Sequence, residues 1–414
     1  SLDDDAVACD ELWLRRYPES PGALAAAERL VGALERGGKG EAARKARLEQ
    51  APRFLPGSPW LAATDSLALR ERADRFARRA YEGAAVFEHQ AARAGRDTTA
   101  WSRALDHYET FLAHWPDAAE APRLDYQAGE AARALHAHEK ALAHFEAAAR
   151  SDTATFAADA AWQAVAVRDA WYRSTLTPGR GTGDDPLATA LLKAGDDYLA
   201  RHPGSTHAAE LAWRQGQVAY AHGWDEDAAG RLLAFSRNFP DDDHAPEAAR
   251  LAGDAQYRRR DFTAAGAAYE QALALAGKTG RSKLAAELAA VLPLCAYENA
   301  AAVDSTESPA AAAPLYLAVA TRWPAYEHAS LALYRAGLGF AAAGEHDQAV
   351  AAWERIVAAD ANGAYGRDAA VRIAQSLEAA GHAASASLAW ARFSELYPDG
   401  EDAPAALLKA IDLR

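Results

Sequence analysis

The chain has 414 residues, of which 50% are hydrophobic by a broad count, 9% are aromatic and 25% are charged, and its formal net charge is −14 at pH 7. This length exceeds one ordinary globular core and favours several domains or one elongated array. The acidic balance argues against nucleic acid as a partner, because phosphate binding requires a basic surface. The sequence contains no apolar run of the roughly 18 residues that a transmembrane segment needs.

The two cysteines, Cys9 and Cys295, are too few for a disulfide framework or a Cys-based zinc site. We expect both to be small residues on helix faces. The chain starts at Ser1 and contains no Met. We therefore expect a processed form or a segment of a longer protein, which would allow membrane tethering through a missing N-terminal part. No apolar stretch precedes Cys9, so lipid attachment is not predicted at that residue.

The first predicted elements are loosely patterned helices. Leu12–Pro18 resembles the second helix of a hairpin, and 21–36 with 40–51 predicts another hairpin that is broken at Gly37-Gly38. A longer arginine-rich helix is predicted to begin near Ser58. Its arginines cover more than one face, and they favour either a solvated surface or a role in binding an anionic surface or an acidic partner. These arginines are Arg70, Arg72, Arg75, Arg78 and Arg79.

Six bulky residues along the chain are each followed by proline, and each pair comes after an Ala-rich run. Proline cannot donate a backbone hydrogen bond, and it pushes the preceding residue out of the helical region. Each pair therefore predicts a helix end, and their recurrence predicts a repeat array. The pairs are Tyr17-Pro18, Trp115-Pro116, His202-Pro203, Phe239-Pro240, Trp323-Pro324 and Tyr397-Pro398.

Small residues recur at separations of 37, 50, 37, 37, 47 and 37 residues, which indicates a period of about 37. We predict that they occupy equivalent places in successive helical hairpins. The surplus in the two long intervals falls in breaker-rich stretches at 177–183 and 304–309, which predicts loop insertions there. The small residues are Gly129, Ala166, Gly216, Gly253, Ala290, Gly337 and Ala374.

This periodicity predicts three parts. Residues 1–79 form degenerate N-terminal hairpins, and residues 80–303 form a regular array with a loop insertion near 174–185. Residues 304–414 continue the array and end in a capping helix at 404–413. Strands are not expected, because no alternating β-branched run of useful length occurs.

Each regular unit also carries an alanine twelve residues after the small residue, and a large residue four positions later. This second spacing places both side chains on one helix face. We expect the alanine to allow close helix approach and the large side chain to fill the core. The pairs are Ala141 with Phe145, Ala228 with Leu232, Ala265 with Tyr269, Ala349 with Trp353, and Ala386 with Trp390.

Leu333-x-x-Ala336-Gly337-x-x-Phe340 followed by Ala349-x-x-x-Trp353 resembles the tetratricopeptide repeat (TPR) pattern. The resemblance covers about residues 80–414, although the period of 37 exceeds the family's usual 34 or so. It implies an all-α fold, a right-handed α-solenoid of TPR-like helical hairpins. It also implies protein or peptide binding on the concave surface, which the first helix of each hairpin builds.

The candidate binding residues are those on first helices that the packing pattern does not require. They are mostly polar, with some tyrosines, which suits recognition of a peptide; the alternative is an ordinary solvated helix face. The candidates are Arg214, Gln217, Tyr220, Arg250, Gln256, Tyr257, Arg335, Arg372 and Gln375, with Asp125, Gln127 and Glu130 upstream.

Other motifs do not favour chemistry, and we expect no enzyme activity, cofactor or metal. Gly277-Lys278-Thr279 lacks the earlier glycine and the preceding strand of a phosphate-binding loop. His136, His138 and His144 lack the spacing of a helical zinc pair. Asp185 is predicted to cap the helix that starts at Pro186.

The stretches 201–205 and 238–241, which read Arg-His-Pro-Gly-Ser and Asn-Phe-Pro-Asp, resemble the hairpin ends of bacterial cell-envelope TPR proteins. These include outer-membrane-assembly lipoproteins and periplasmic division coordinators. The resemblance implies a scaffold in a Gram-negative envelope machine for outer-membrane assembly, cell division or gliding motility. Two alternatives stay open: a superhelical non-catalytic module of a cell-wall lytic enzyme, and a cytoplasmic peptide-sensing regulator. The sequence does not indicate an oligomeric state.

Overall fold

The computed structural model describes residues 2–95, 97–151, 155–176 and 183–414. These residues form helices and turns, and no strand occurs among them. The contacts divide the chain into two compact units. The N-terminal unit contains 1–180 and 185–205, and the C-terminal unit contains 181–184 and 206–414.

Ten α-helices lie in the described part of the N-terminal unit, with a 3-10 turn at Ala51–Phe54. Their bounds are α1 (Leu2–Arg16), α2 (Ala23–Arg36), α3 (Gly40–Gln50), α4 (Pro59–Ala62), α5 (Leu67–Gly95), α6 (Thr98–His114), α7 (Ala121–Ala134), α8 (His138–Ala149), α9 (Ala157–Thr175) and α10 (Pro186–Arg201).

Eleven α-helices form the described part of the C-terminal unit. They are α11 (Ala208–Ala221), α12 (Asp225–Asn238), α13 (Ala245–Arg258), α14 (Phe262–Lys278), α15 (Ser282–Thr306), α16 (Pro309–Arg322), α17 (Ala329–Ala342), α18 (His346–Asp360), α19 (Gly366–Ala379), α20 (Ala383–Leu396) and α21 (Ala403–Asp412).

Consecutive helices within each unit pack against each other, apart from the short α4, which contacts the 3-10 turn at Ala51–Phe54. The hairpins of the N-terminal unit are α2/α3, α5/α6, α7/α8 and α9/α10, and those of the C-terminal unit run in pairs from α11/α12 to α19/α20. Helix α1 packs on α2, and α21 packs on α20. Because one hairpin cannot bury its apolar face alone, stacking completes the core. The prediction of an all-α solenoid of helical hairpins is confirmed.

The bulky residues before proline end helices, as predicted. Trp115, Phe239 and Tyr397 have φ of −135°, −128° and −130° with ψ near 60°, outside the helical region. Each ring packs on an aromatic ring four residues earlier, with centroids 5.0, 5.5 and 5.2 Å apart. The residue before each of these prolines therefore ends its helix and also packs its ring against the last turn of that helix. His202 and Trp323 end their helices in the same conformation, and Tyr17 follows the last residue of α1.

The glycines of the predicted repeat occupy equivalent places in successive hairpins, as predicted. They also lie directly against the large side chains sixteen residues later, a contact that was not predicted. A Cβ atom on Gly337 would lie 2.3 Å from the indole ring of Trp353. The first helix can approach the second so closely only because glycine has no side chain. Equivalent contacts join Gly129 to Phe145, Gly216 to Leu232, and Gly253 to Tyr269.

The prediction for Ala290 is wrong, and so is the loop insertion at 304–309. Ala290 is exposed, whereas Ala300 is fully buried and precedes the buried Tyr316 by the expected sixteen residues. Helix α15 continues to Thr306, where the backbone N–H of Glu307 still donates to the carbonyl of Val303 at 2.9 Å. The hydroxyl groups of Ser305 and Thr306 donate to the carbonyl of Ala302 within this last turn. The ten extra residues of this interval therefore lengthen a helix and do not form a loop.

The other predicted insertion lies mostly outside the described residues, since it involves 177–182. At its end, Asp185 caps α10 as predicted, because its carboxylate accepts hydrogen bonds from the backbone of Leu187 and Ala188. The part boundaries at 79/80 and 303/304 stay predictions, and both fall within helices. Across the described ranges, no helix combines the length and apolarity needed to cross a bilayer.

Candidate functional site

The nine candidate binding residues of the C-terminal unit lie on four of its first helices, and we call this surface the first-helix face. Its residues are Arg214, Gln217 and Tyr220 on α11; Arg250, Gln256 and Tyr257 on α13; Arg335 on α17; and Arg372 and Gln375 on α19. Gln375 is exposed, and the other eight are half-buried. The candidates lie on first helices, as the sequence predicts, but the residues that contact their side chains could not be predicted from it.

Asp254 on α13 is the centre of the first hydrogen-bonded network. Its carboxylate accepts hydrogen bonds from Arg250 at 2.6 Å, from the Tyr269 hydroxyl at 2.8 Å and from the Tyr220 hydroxyl at 3.4 Å. The guanidinium of Arg250 also binds Glu247, with Nη2 2.6 Å from Oε1. The hydrogen bond to Glu247 raises the pKa of Arg250, and the same bond lowers the pKa of Glu247.

Tyr220 connects this network to the hairpin before it. The guanidinium carbon of Arg258 lies 4.2 Å from the centre of the Tyr220 ring, and Arg258 Nε donates to Asp225 at 2.9 Å. The hydrogen bond to Asp225 is the main cause of the raised pKa of Arg258. Helix α13 is therefore joined to α11 by a cation–π contact and the Tyr220–Asp254 hydrogen bond, and to α12 by the Arg258–Asp225 bond.

A second network joins α15, α16 and α17. Arg335 Nη1 lies 3.2 Å from Asp304 Oδ2 and 3.1 Å from the Tyr316 hydroxyl, which itself donates to Asp304 at 3.2 Å. Burial raises the pKa of Tyr316 to about 12, so this hydroxyl stays protonated and able to donate. Arg335 is thus held in place, although 42% of its side chain is exposed.

A third network joins α17 and α19. The hydroxyl of Tyr334 donates to Asp368 and accepts a hydrogen bond from Arg372 Nε at 2.9 Å, and Arg372 also binds Asp368. Burial alone would raise the pKa of Asp368, but the bonds from Tyr334 and Arg372 outweigh it and lower that pKa. The ring of Tyr334 stacks on Tyr365, with centroids 5.2 Å apart.

Sequence reasoning missed the acids that hold these arginines, namely Asp254, Asp304 and Asp368. The i,i+4 spacing of Arg250 with Asp254 and of Asp368 with Arg372 was a readable signal. The links between helices had no such signal, because they join residues about one repeat apart. Among the other candidates, Gln256 accepts a hydrogen bond from Arg259, and the ring of Tyr257 packs edge-on against Phe262.

The three histidines near the α7–α8 turn make separate contacts, apart from His136 and His138, whose ring centroids are 6.4 Å apart. His138 stacks on Trp171 with centroids 5.9 Å apart, and His144 Nδ1 lies 2.8 Å from Asp125. Within the described ranges, no three His, Cys, Asp or Glu side chains are placed to hold a metal ion. Burial raises the pKa of the Cys295 thiol to about 11, so this thiol is protonated at neutral pH.

Replacing Asp254 with alanine should lower the free energy of unfolding by about 2 kcal/mol, since it removes an acceptor shared by Arg250 and the buried Tyr269. Urea unfolding followed by circular dichroism would measure the loss. The control is Asp227→Ala, which removes an i,i+4 pair with Arg231 on α12 and should cost less than about 1 kcal/mol. Equal losses would show that Asp254 is an ordinary surface carboxylate.

No family model and no curated protein sequence matches the chain. The solved structure of the P58(IPK) TPR domain is 14% identical, with a TM-score of 0.27, over 92% of this chain and 94% of that one. A tetratricopeptide repeat protein from Parabacteroides merdae ATCC 43184 is 11% identical, with a TM-score of 0.30, over 70% of this chain and 98% of that one. The apo form of RapI is 9% identical, with a TM-score of 0.30, over 80% and 97%. Such scores assign neither family nor activity.

Proposed function

We propose that the protein is a non-enzymatic scaffold that binds segments of other proteins on the first-helix face. The observation that carries this proposal is the repeated network of arginine, aspartate and tyrosine on successive first helices. Each network holds an arginine in one orientation while part of its side chain stays exposed, 42% for Arg335 and 34% for Arg372.

Preorganised donors and acceptors suit peptide binding, because the side-chain entropy cost is met in the free protein. Tyrosine adds contact area with few rotatable bonds and a polar hydroxyl. Since Arg250, Arg335 and Arg372 already have acidic partners, these three arginines add little net charge to the face. It therefore suits an extended peptide with mixed polar and aromatic side chains.

Photo-crosslinking tests this surface without disturbing the networks. A photoreactive residue at Gln217 or Gln375 should yield adducts with a partner protein in cells that produce the full chain. The matched control is the same residue at Arg237, which is exposed on the second helix α12. Adducts formed equally at Arg237, or only there, would rule out the first-helix face as the binding surface.

For the narrower assignment, we propose a role in a bacterial cell-envelope machine that assembles the outer membrane, divides the cell or drives gliding. Its support is the resemblance of 201–205 and 238–241 to hairpin ends of envelope TPR proteins. The test is proteinase accessibility in fractionated cells, with the protein expected to be digested once the outer membrane is opened. Protection until the inner membrane is broken would favour the cytoplasmic regulator.

A further inference from the structure

A basic pocket lies between α2, α3 and α5 in the N-terminal unit, far in sequence from the first-helix face. It forms a cavity of about 370 Å³. Four arginines and two glutamates supply its charge, a local excess of positive charge in a chain of net charge −14. The charged residues of this arginine pocket are Arg47, Arg72, Arg75, Arg79, Glu28 and Glu35.

Helical spacing explains why three of these arginines face the pocket. Arg72, Arg75 and Arg79 follow one another at three and four residues along α5, which places them on one face. Beside them, Phe76 is 7% exposed and packs edge-on against Phe54, with centroids 5.5 Å apart. The backbone that carries the arginines is therefore anchored in the core.

The other two arginines in the first half of α5, Arg70 and Arg78, contact other groups. Arg78 Nε lies 2.9 Å from Asp74, and Arg70 donates to the carbonyl of Thr64. The arginines of α5 thus cover more than one face, as the sequence predicts, but three of them, Arg72, Arg75 and Arg79, share one pocket.

Within the pocket the arginines differ in their partners. Arg72 binds Glu28, and Arg47 Nη2 lies 2.7 Å from Glu35 Oε1. The Arg75 side chain is 59% exposed, and within the described part of the chain it pairs only with Glu71 of its own helix, at 3.9 Å. Arg79 makes no ion pair with any residue that the structure describes. The donors of Arg75 and Arg79 are accordingly available to a ligand.

We propose that the arginine pocket binds a short acidic segment of a partner protein through its carboxylates. A guanidinium binds a carboxylate through two parallel N–H donors, so Arg75 and Arg79 would each take one acidic side chain. The acidic remainder of the chain repels such a segment, so the pocket sets where it binds. Concave shape and the two interspersed glutamates favour separated carboxylates over a flat anionic membrane.

The test uses the full chain and a fluorescent hexaglutamate peptide, with binding measured by anisotropy at low and high salt. The double variant Arg75→Gln/Arg79→Gln should weaken binding by about tenfold or more. The control Arg15→Gln/Arg16→Gln makes the same charge change at two exposed positions of α1 in the same unit and should leave the affinity within about twofold. Equal losses of hexaglutamate affinity in both double variants would show that only the net charge of the protein matters, and this would overturn the proposal.

A second variant separates ligand binding from structural support. Glu35→Gln should tighten hexaglutamate binding severalfold, because Arg47 loses its internal partner and gains a free donor pair. If the pocket arginines only stabilise the fold, this variant will weaken binding or leave it unchanged. Binding of phosphatidylserine vesicles without binding of hexaglutamate would also overturn the proposal, in favour of a membrane surface.

Discussion

Gly337→Ala is expected to destabilise the C-terminal unit by about 3 kcal/mol, although alanine is the better helix former. The added Cβ would lie 2.3 Å from the indole ring of Trp353, which is 1% exposed and has no room to move. Helices α17 and α18 would therefore have to separate. Urea unfolding followed by tryptophan fluorescence and circular dichroism would measure the loss.

The matched control is Gly230→Ala on α12, where nothing lies within 4 Å of the added Cβ. There the gain in helix propensity should stabilise the protein by about 0.5–1 kcal/mol. Opposite signs at two helical glycines would show that close packing decides the effect. Combining Gly337→Ala with Trp353→Leu should cost less than the sum of the single variants, because the smaller side chain makes room for the methyl group. Additive losses would mean that the two residues do not share one packing contact.

Acidification from pH 6.5 to pH 4 should lower the free energy of unfolding by up to about 3 kcal/mol through His89. His89 is 4% exposed, and burial, with a smaller effect of Arg93, lowers its pKa to about 4 from 6.5. In this pH window the unfolded chain binds a proton that the folded chain does not, so stability falls as the pH falls. The contribution is complete above pH 6.5.

The groups around His89 support this direction. Its ring packs edge-on against Trp101 at 4.8 Å and Tyr108 at 6.0 Å between centroids. Glu130 lies 3.6 Å from His89 Nε2, but burial raises the pKa of Glu130 as well, which weakens its ability to hold a proton on the imidazole by charge.

Unfolding of His89→Phe should lose this pH dependence, whereas His382→Gln, at an exposed position on the loop before α20, should keep it. Free energies of unfolding measured at pH 7, 5.5 and 4.5 would compare the three proteins. A pH profile of His89→Phe identical to that of the parent would assign the acid sensitivity to other groups.

Local chemistry explains how much of the fold could be predicted. The bulky-residue–proline pairs ended helices because proline acts on its immediate neighbour, whatever the tertiary context. The constant spacing of Gly337, Ala349 and Trp353 could also be recognised in the sequence, whereas the direct contact between Gly337 and Trp353 was found only in the structure. Asp185 capped α10 for a similarly local reason, because the backbone N–H groups in the first turn of that helix need acceptors.

Predictions failed where the same local sequence is compatible with either a loop or a helix. Residues 304–306 have loop composition, yet their hydroxyl and backbone groups continue α15. The small residue of this repeat is therefore Ala300 and not Ala290, and only its burial in the same core cluster as Tyr316 identifies it. The arginines of the first-helix face and of α5 pose the same problem, because a charged residue in a sequence does not reveal its partner.

The residue order alone was thus sufficient for the helical hairpins, their period and the helix ends, since these depend on interactions within one or two helical turns or on a fixed spacing. Tertiary packing decided which acids hold Arg250, Arg335 and Arg372, and which arginines of α5 share a pocket. Those pairings join helices whose separation and rotation are set by the packing of the whole core. They therefore depend on the total free energy of many contacts, which no motif of a few residues can indicate.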